Sequence, residues 1–179
     1  MRARGSTRPG RTSPGSIRAR PTGSSSSCAT VSGTPSPAPD DPLATVRERT
    51  RENLFWRHLG VEVADAREGW VRLRVRVRDE LRNAAGAPVH GGVYSALVDM
   101  AVGGALATLH EEAAGGVGQT TLDLNVSFLA AATGDTLFAE GRILRRGRTV
   151  AFGETTITDA GGKLLAVGRA TYMIIAKRA

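Results

Sequence analysis

The stretch His90-Gly91-Gly92-Val93-Tyr94-Ser95-Ala96-Leu97-Val98-Asp99-Met100-Ala101-Val102-Gly103-Gly104-Ala105-Leu106-Ala107 decides how the rest of the chain is read. A glycine pair opens a long apolar run, predicted as one helix over residues 91–109. The run is apolar nearly all round and kept slim by Ala96, Ala101, Gly103, Gly104 and Ala107. A helix of that kind has to be enclosed by other elements. Its glycine start lets a ligand approach the backbone closely. The unpaired N–H groups there, at the positive end of the helix dipole, suit a polarised carbonyl oxygen or an anion. Asp99 lies roughly two turns further on, at ~3.6 residues per turn, and is too distant to act as a cap. A carboxylate inside an apolar run is costly to bury unless it is paired or used in chemistry. A core ion pair would satisfy it; together with the glycine-opened helix, an enzyme site is the stronger reading.

Upstream of that helix, Pro42 follows an Asp41 cap, and Leu43, Val46, Leu54 and Phe55 recur at helical spacing, predicting a short amphipathic helix over about 42–57. A first strand is expected over 61–68. In 70–78, Val71, Leu73, Val75 and Val77 alternate with Arg72, Arg74, Arg76 and Arg78, which predicts a second. The arginines would face water or acidic neighbours. Residues 79–89 read as a loop ending near Pro88. Beyond the helix, Gly115, Gly116 and Gly118 break the chain. Strand patterns then follow over 121–128, 136–144, 149–158 and 163–175, with turns at Gly147 and at Asp159-Ala160-Gly161-Gly162. The order α, β, β, α, β, β, β, β predicts an α+β domain of antiparallel strands around one buried helix.

Residues 1–41 differ in kind. They are dense in Arg, Ser, Thr, Pro and Gly and lack an apolar period, so they are expected to form a disordered tail preceding one domain over 42–179. Six arginines against Asp40 and Asp41 put four of the seven net positive charges there. The domain's own charge is therefore ordinary, and without aromatics in the tail to stack on bases, no nucleic-acid partner is expected. No apolar run reaches the ~18 residues needed to span a bilayer, and the front of the chain lacks a secretory h-region. The single cysteine, Cys28, precludes a disulfide framework or cysteine-rich zinc site. A cytoplasmic protein without membrane association is expected. His58 and His110 have no metal-ligand spacing with other candidate ligands, so no metal is expected.

The block Val89-His90-Gly91-Gly92 with Leu97-Val98-Asp99 resembles the signature of hotdog-fold acyl-CoA thioesterases, in their phenylacetic-acid-degradation (PaaI-like) branch. Thr121-Leu122-Asp123-Leu124-Asn125-Val126-Ser127-Phe128, Gly147-Arg148-Thr149-Val150-Ala151-Phe152 and Gly168-Arg169-Ala170-Thr171 match further pieces in order. The resemblance spans roughly residues 50–175. It implies the hotdog fold, an antiparallel sheet wrapped around a long central helix. It also implies hydrolysis of an acyl-CoA to a free acid and coenzyme A, with no cofactor beyond the coenzyme A of the substrate.

By that resemblance, the Gly91 N–H polarises the thioester carbonyl, a role that suits a preorganised helix-start donor. Gly92 shares the substrate-binding turn, and His90 braces the loop. Asp99 attacks the thioester carbon or activates a water. Thr121 matches a position whose hydroxyl helps hold that water. Family members commonly carry an Asn or Gln six residues before the histidine; position 84 is alanine here, and Asn83, one residue further off, is the candidate. Arg145, Arg146 and Arg148 could pair with coenzyme A phosphates, although a solvated basic hairpin would have the same composition. A non-catalytic acyl-CoA-binding protein is the main alternative. An enoyl-CoA hydratase, a class that pairs an Asp with a nearby His in one loop, is disfavoured, because the only aspartate in the loop before His90 is Asp79, eleven residues away.

Geometry adds one expectation. Gly91 and Asp99, eight residues apart, are separated by ~12 Å along one helix. A single reacting carbonyl cannot lie within ~3–3.5 Å of both. A site shared between twofold-related helices is therefore expected, in a homodimer; the family resemblance implies the same pairing, often as a dimer of dimers.

Overall fold

The computed structural model describes residues 41–110 and 117–176. Residues 1–40, which hold nearly all of the expected tail, lie outside the described residues. The elements, in order, are helices Pro42–Glu52 (α1) and Leu54–Leu59 (α2), strands Val61–Arg67 (β1) and Trp70–Arg76 (β2), and helix Gly91–Ala107 (α3). Strands Val117–Phe128 (β3), Thr136–Arg146 (β4), Val150–Asp159 (β5) and Leu164–Ala176 (β6) follow. The strands form a six-stranded antiparallel sheet in the order β1-β2-β4-β5-β6-β3. Helix α3 packs across one face and contacts every strand from β2 to β6. This is the α+β layout expected from the periodicities, in the hotdog arrangement that the resemblance implies. No helix among the described residues is long and apolar enough to cross a membrane.

The helix can lie so close to the sheet because the strands beneath it are stripped of side chains. A Cβ on Gly141 of β4 would stand 2.4 Å from the Ala101 backbone, and one on Gly168 of β6 would stand 2.6 Å from Val98. Between them in register lies Thr155 of β5, which is buried and donates its hydroxyl to the Val98 carbonyl at 3.3 Å. Around that contact Leu73, Leu97, Leu137, Ile157 and Leu165 are fully buried. Each contributes about 1.5–3 kcal/mol relative to exposure. On the opposite face Arg72 pairs with Glu140 at 3.4 Å and Arg74 pairs with Glu62, so two of the three β2 arginines find acidic neighbours.

Several boundaries differ from expectation. The single helix over 42–57 is two helices, because Asn53 leaves helical geometry (φ −78°, ψ 112°) and its side chain accepts from the N–H groups of Phe55 and Trp56. One residue thus ends α1 and caps α2. Helix α3 stops at Ala107, two residues early; Thr108 donates its hydroxyl to the Ala105 carbonyl at 2.7 Å and accepts from Gly69 N–H at 2.8 Å. Strand β3 begins at Val117 rather than 121. Gly118 pairs in the ladder opposite Ile175 instead of breaking the chain, since a main-chain ladder needs no side chain there.

Candidate active site

Asp99 projects from the middle of α3 toward β3 and β6, where two hydroxyls meet it. Thr121 donates to Asp99 Oδ1 at 2.6 Å. The phenolic oxygen of Tyr172 lies 2.6 Å from the same Oδ1 and 2.8 Å from the Asp99 carbonyl oxygen, so its one proton is shared between them. Thr121 and Tyr172 are direct partners across the β3–β6 ladder, which brings both hydroxyls to one carboxylate oxygen. Among the described residues Oδ2 has no hydrogen-bond partner and the carboxylate has no ion-pair partner. A core ion pair, the bland explanation of Asp99, is thus not what holds it. Burial, followed by the Asp99 charge and the hydrogen bond to it, pushes the Tyr172 phenol far above its ordinary value. It therefore stays a proton donor throughout the neutral range.

Tyr172 is the functional residue that sequence reasoning missed. Its approach depends on Gly103, one helical turn after Asp99, where a Cβ would stand 2.7 Å from the phenolic oxygen. The signal was available: Ala166, Gly168, Ala170 and Tyr172 alternate along the inner face of β6, small residues ending in a polar-tipped ring beside Thr121.

At the other end of the helix, His90 is the N-cap and its Nδ1 accepts from Gly92 N–H at 2.9 Å. His90 N–H donates to the Leu81 carbonyl at 2.9 Å, tying the turn to the preceding loop. The Gly92 N–H is thereby committed to the cap, while Gly91 N–H has no partner among the described residues. Asn83 N–H and Nδ2 both donate to the Pro88 carbonyl at 3.1 Å, closing the loop that delivers His90. Phe128, at the end of β3, stands beside Gly91, 3.4 Å from where a Cβ would be. Arg145, Arg146 and Arg148 are exposed at the β4–β5 hairpin. Within one chain, Asp99 and Thr121 come together with Tyr172, His90 and Gly92 with Gly91, and the hairpin arginines with neither group.

A cavity of about 560 Å³ opens from Asp99 along the second half of α3, bounded by Gly103, Gln119, Tyr172 and, from the two short helices, Arg49 and Trp56. Gln119 donates to the Gly103 carbonyl at 2.8 Å and meets His110 Nε2 at 2.8 Å. Burial lowers the His110 pKa; the Gln119 hydrogen bond opposes this, and Arg49 and Arg146 reinforce it. Because the Gln119 side-chain oxygen can only accept, His110 donates to it from Nε2.

Comparison with known proteins points the same way. Residues 88–166 match the family model of the thioesterase superfamily. A presumed esterase of Halobacterium salinarum is 35% identical over 144 residues, covering 75% of this chain and 93% of that protein. Among solved structures, a thioesterase of Haemophilus influenzae superposes with a TM-score of 0.67 at 25% identity, covering 75% of this chain and 90% of that one. The E. coli PaaI protein from the phenylacetic acid degradation operon superposes with a TM-score of 0.66 at 20% identity, covering 75% and 93%. At that identity the last likeness is one of fold.

Proposed function

The chain belongs to the hotdog-fold thioesterase superfamily, and from that premise we propose that it is an acyl-CoA thioesterase whose sites are shared between two subunits. The observation that carries the reading is the state of Asp99. Two hydroxyls hold one carboxylate oxygen and leave Oδ2 without a partner among the described residues, free to attack a thioester carbon or to activate a water. The Gly91 N–H is the matching donor for the carbonyl oxygen. Acyl-CoA and water would give the free acid and coenzyme A, and the tetrahedral oxyanion would be stabilised by a donor that needs no proton transfer.

The open edge of β3 supports the sharing of sites. This strand pairs with β6 on one side only, and its other edge is open among the described residues. Its Thr121 end touches Asp99, and its Phe128 end stands beside Gly91. Leu124 and Phe128, on the same face as α3, are exposed at 38% and 57%, which is more apolar surface than an open strand edge carries without a partner. A second copy paired antiparallel along β3 about a twofold axis between Thr121 and Phe128 would cover both. The same operation sets the partner's Gly91 end against this chain's Asp99 and the reverse, closing two equivalent sites. The arginines of the β4–β5 hairpin are the proposed contacts for coenzyme A phosphates.

A panel of acyl-CoA thioesters read by free-thiol release tests the activity. Thiol release above background that is lost in Asp99→Asn is expected. No release from any ester, or full release by the variant, would remove the reading. Binding without turnover by the unmodified protein would instead favour a non-catalytic acyl-CoA-binding role.

A further inference from the structure

The cavity beside Asp99 contains a cation that the hydrolytic chemistry does not use. We propose that the acyl group taken by this site ends in a carboxylate, received by the guanidinium of Arg49. The inference rests on the thioesterase reading and adds the class of substrate to it: ω-carboxyacyl thioesters, the half-thioesters of short dicarboxylic acids.

Arg49 stands near the end of α1, one turn after the fully buried Val46 that packs against Gly104 of α3. That packing fixes which way this face of α1 points. Arg49 lines the same cavity as Asp99, Thr121 and Tyr172, and its side chain is partly buried there beside Trp56. Arg49 is the one arginine lining this cavity and has no carboxylate within 4.0 Å among the described residues, although Glu52, one turn further on, lines the cavity too. Burial holds the Arg49 guanidinium below its ordinary value, and the charges of Glu52 and Tyr172 offset this only in part. A partly desolvated guanidinium without a counter-ion is costly, and its planar donor fork matches a carboxylate through paired hydrogen bonds. The thioester carbonyl belongs at Asp99 and Arg49 lines the same cavity, so an anion for Arg49 would be carried on the acyl chain beyond that carbonyl. The cavity, about 560 Å³, accommodates a compact acyl group. Gln119 and Thr120 add polar lining where a fatty chain would need apolar walls.

The test compares glutaryl and adipoyl thioesters with their uncharged ω-amide counterparts, each made on coenzyme A and on N-acetylcysteamine, which lacks phosphates. The native protein is expected to favour the carboxyl esters in kcat/KM by about tenfold or more, the scale of a charge-assisted hydrogen bond. Arg49→Gln should collapse that ratio in both thiol series, and Arg49→Lys, which keeps the charge and loses the fork, should reduce it partially. If Arg49→Gln does not fold, the lysine variant carries the comparison. Equal loss on charged and uncharged esters would make Arg49 structural, and loss confined to the coenzyme A series would make it a phosphate contact; either overturns the proposal. Calorimetric binding of the same thioesters to Asp99→Asn protein, with and without Arg49→Gln, is read in parallel. If no ester is hydrolysed the thioesterase reading fails, and the binding preference alone then supports or overturns the carboxylate assignment.

Discussion

The start of α3 and its middle both contribute to the proposed site, but by different means. At Gly91 the proposed working group is a backbone N–H that, at the first helical position, has no partner among the described residues, while His90 takes the neighbouring Gly92 N–H as its cap. Every part of that arrangement lies within a few residues of sequence. At Asp99 the working group is a side chain held by hydroxyls from β3 and β6, reached across 22 and 73 residues. The local end should tolerate substitution as long as its backbone keeps its shape. The non-local end should fail whenever one of three elements shifts. Substitutions at the two ends therefore ought to differ in kind: at Asp99 they lower turnover, and at the cap they lower stability first.

The largest effect is expected from Asp99→Asn. The amide keeps the shape and can still accept from Thr121 and Tyr172, but it cannot act as base or nucleophile, so kcat should fall by ~10²-fold or more while ligand binding persists. Steady-state turnover beside calorimetric binding measures both. A variant with most of its activity would shift the chemistry away from the middle of the helix.

Tyr172→Phe removes a hydrogen bond to a charged group and leaves the ring. A fall of roughly tenfold in kcat with little change in KM is expected. Because the phenol is raised well above its usual value by burial and then by Asp99, it should contribute no basic limb to the rate profile below about pH 10. The linkage has a definite sign. A raised folded pKa gives stability that is complete below the unfolded value near 10 and is lost as pH climbs through the folded one, so Tyr172→Phe should lose less stability than the parent on going from neutral to strongly alkaline pH. An unchanged kcat would remove Tyr172 as a positioning residue. Gly103→Ala should act through the same ring, since its Cβ would stand 2.7 Å from the phenolic oxygen. The two changes together should then cost little more in kcat than either alone, and full additivity would separate them.

The smallest effect belongs to the local end. His90→Ala removes an N-cap worth about 1 kcal/mol, so the unfolding temperature should drop by a few degrees, and His90→Asn, which can cap, should restore it. A loss of turnover in His90→Asn with stability intact would give the imidazole a chemical role and weaken the contrast between the two ends.

That contrast also explains what was legible in the sequence. The strand and helix order, the enclosed α3, Asp99 and the glycine turn follow from patterns a few residues long. Thr121 came from a family motif in β3. Tyr172 ends a local alternation along β6, but neither its role nor that of Arg49 is set by neighbours in sequence. Tyr172 matters only through its ladder partner Thr121 and the space at Gly103; Arg49 matters only because Val46 and Gly104 dock α1 beside the cavity. Asn53 was read within a continuous helix, since a residue that caps two helices interrupts the apolar period by a single position.

The central claim is that Gly91 of one subunit and Asp99 of another serve the same reacting carbonyl, and subunit exchange tests it directly. An Asp99→Asn protein is mixed with a Gly91→Val protein, each folded and inactive alone, and the hybrid dimer is isolated. One of its two sites then pairs an intact Gly91 with an intact Asp99, so the hybrid should recover about half of the native activity per dimer. Continued inactivity in verified hybrids, or full activity in a verified monomer, would contradict the account.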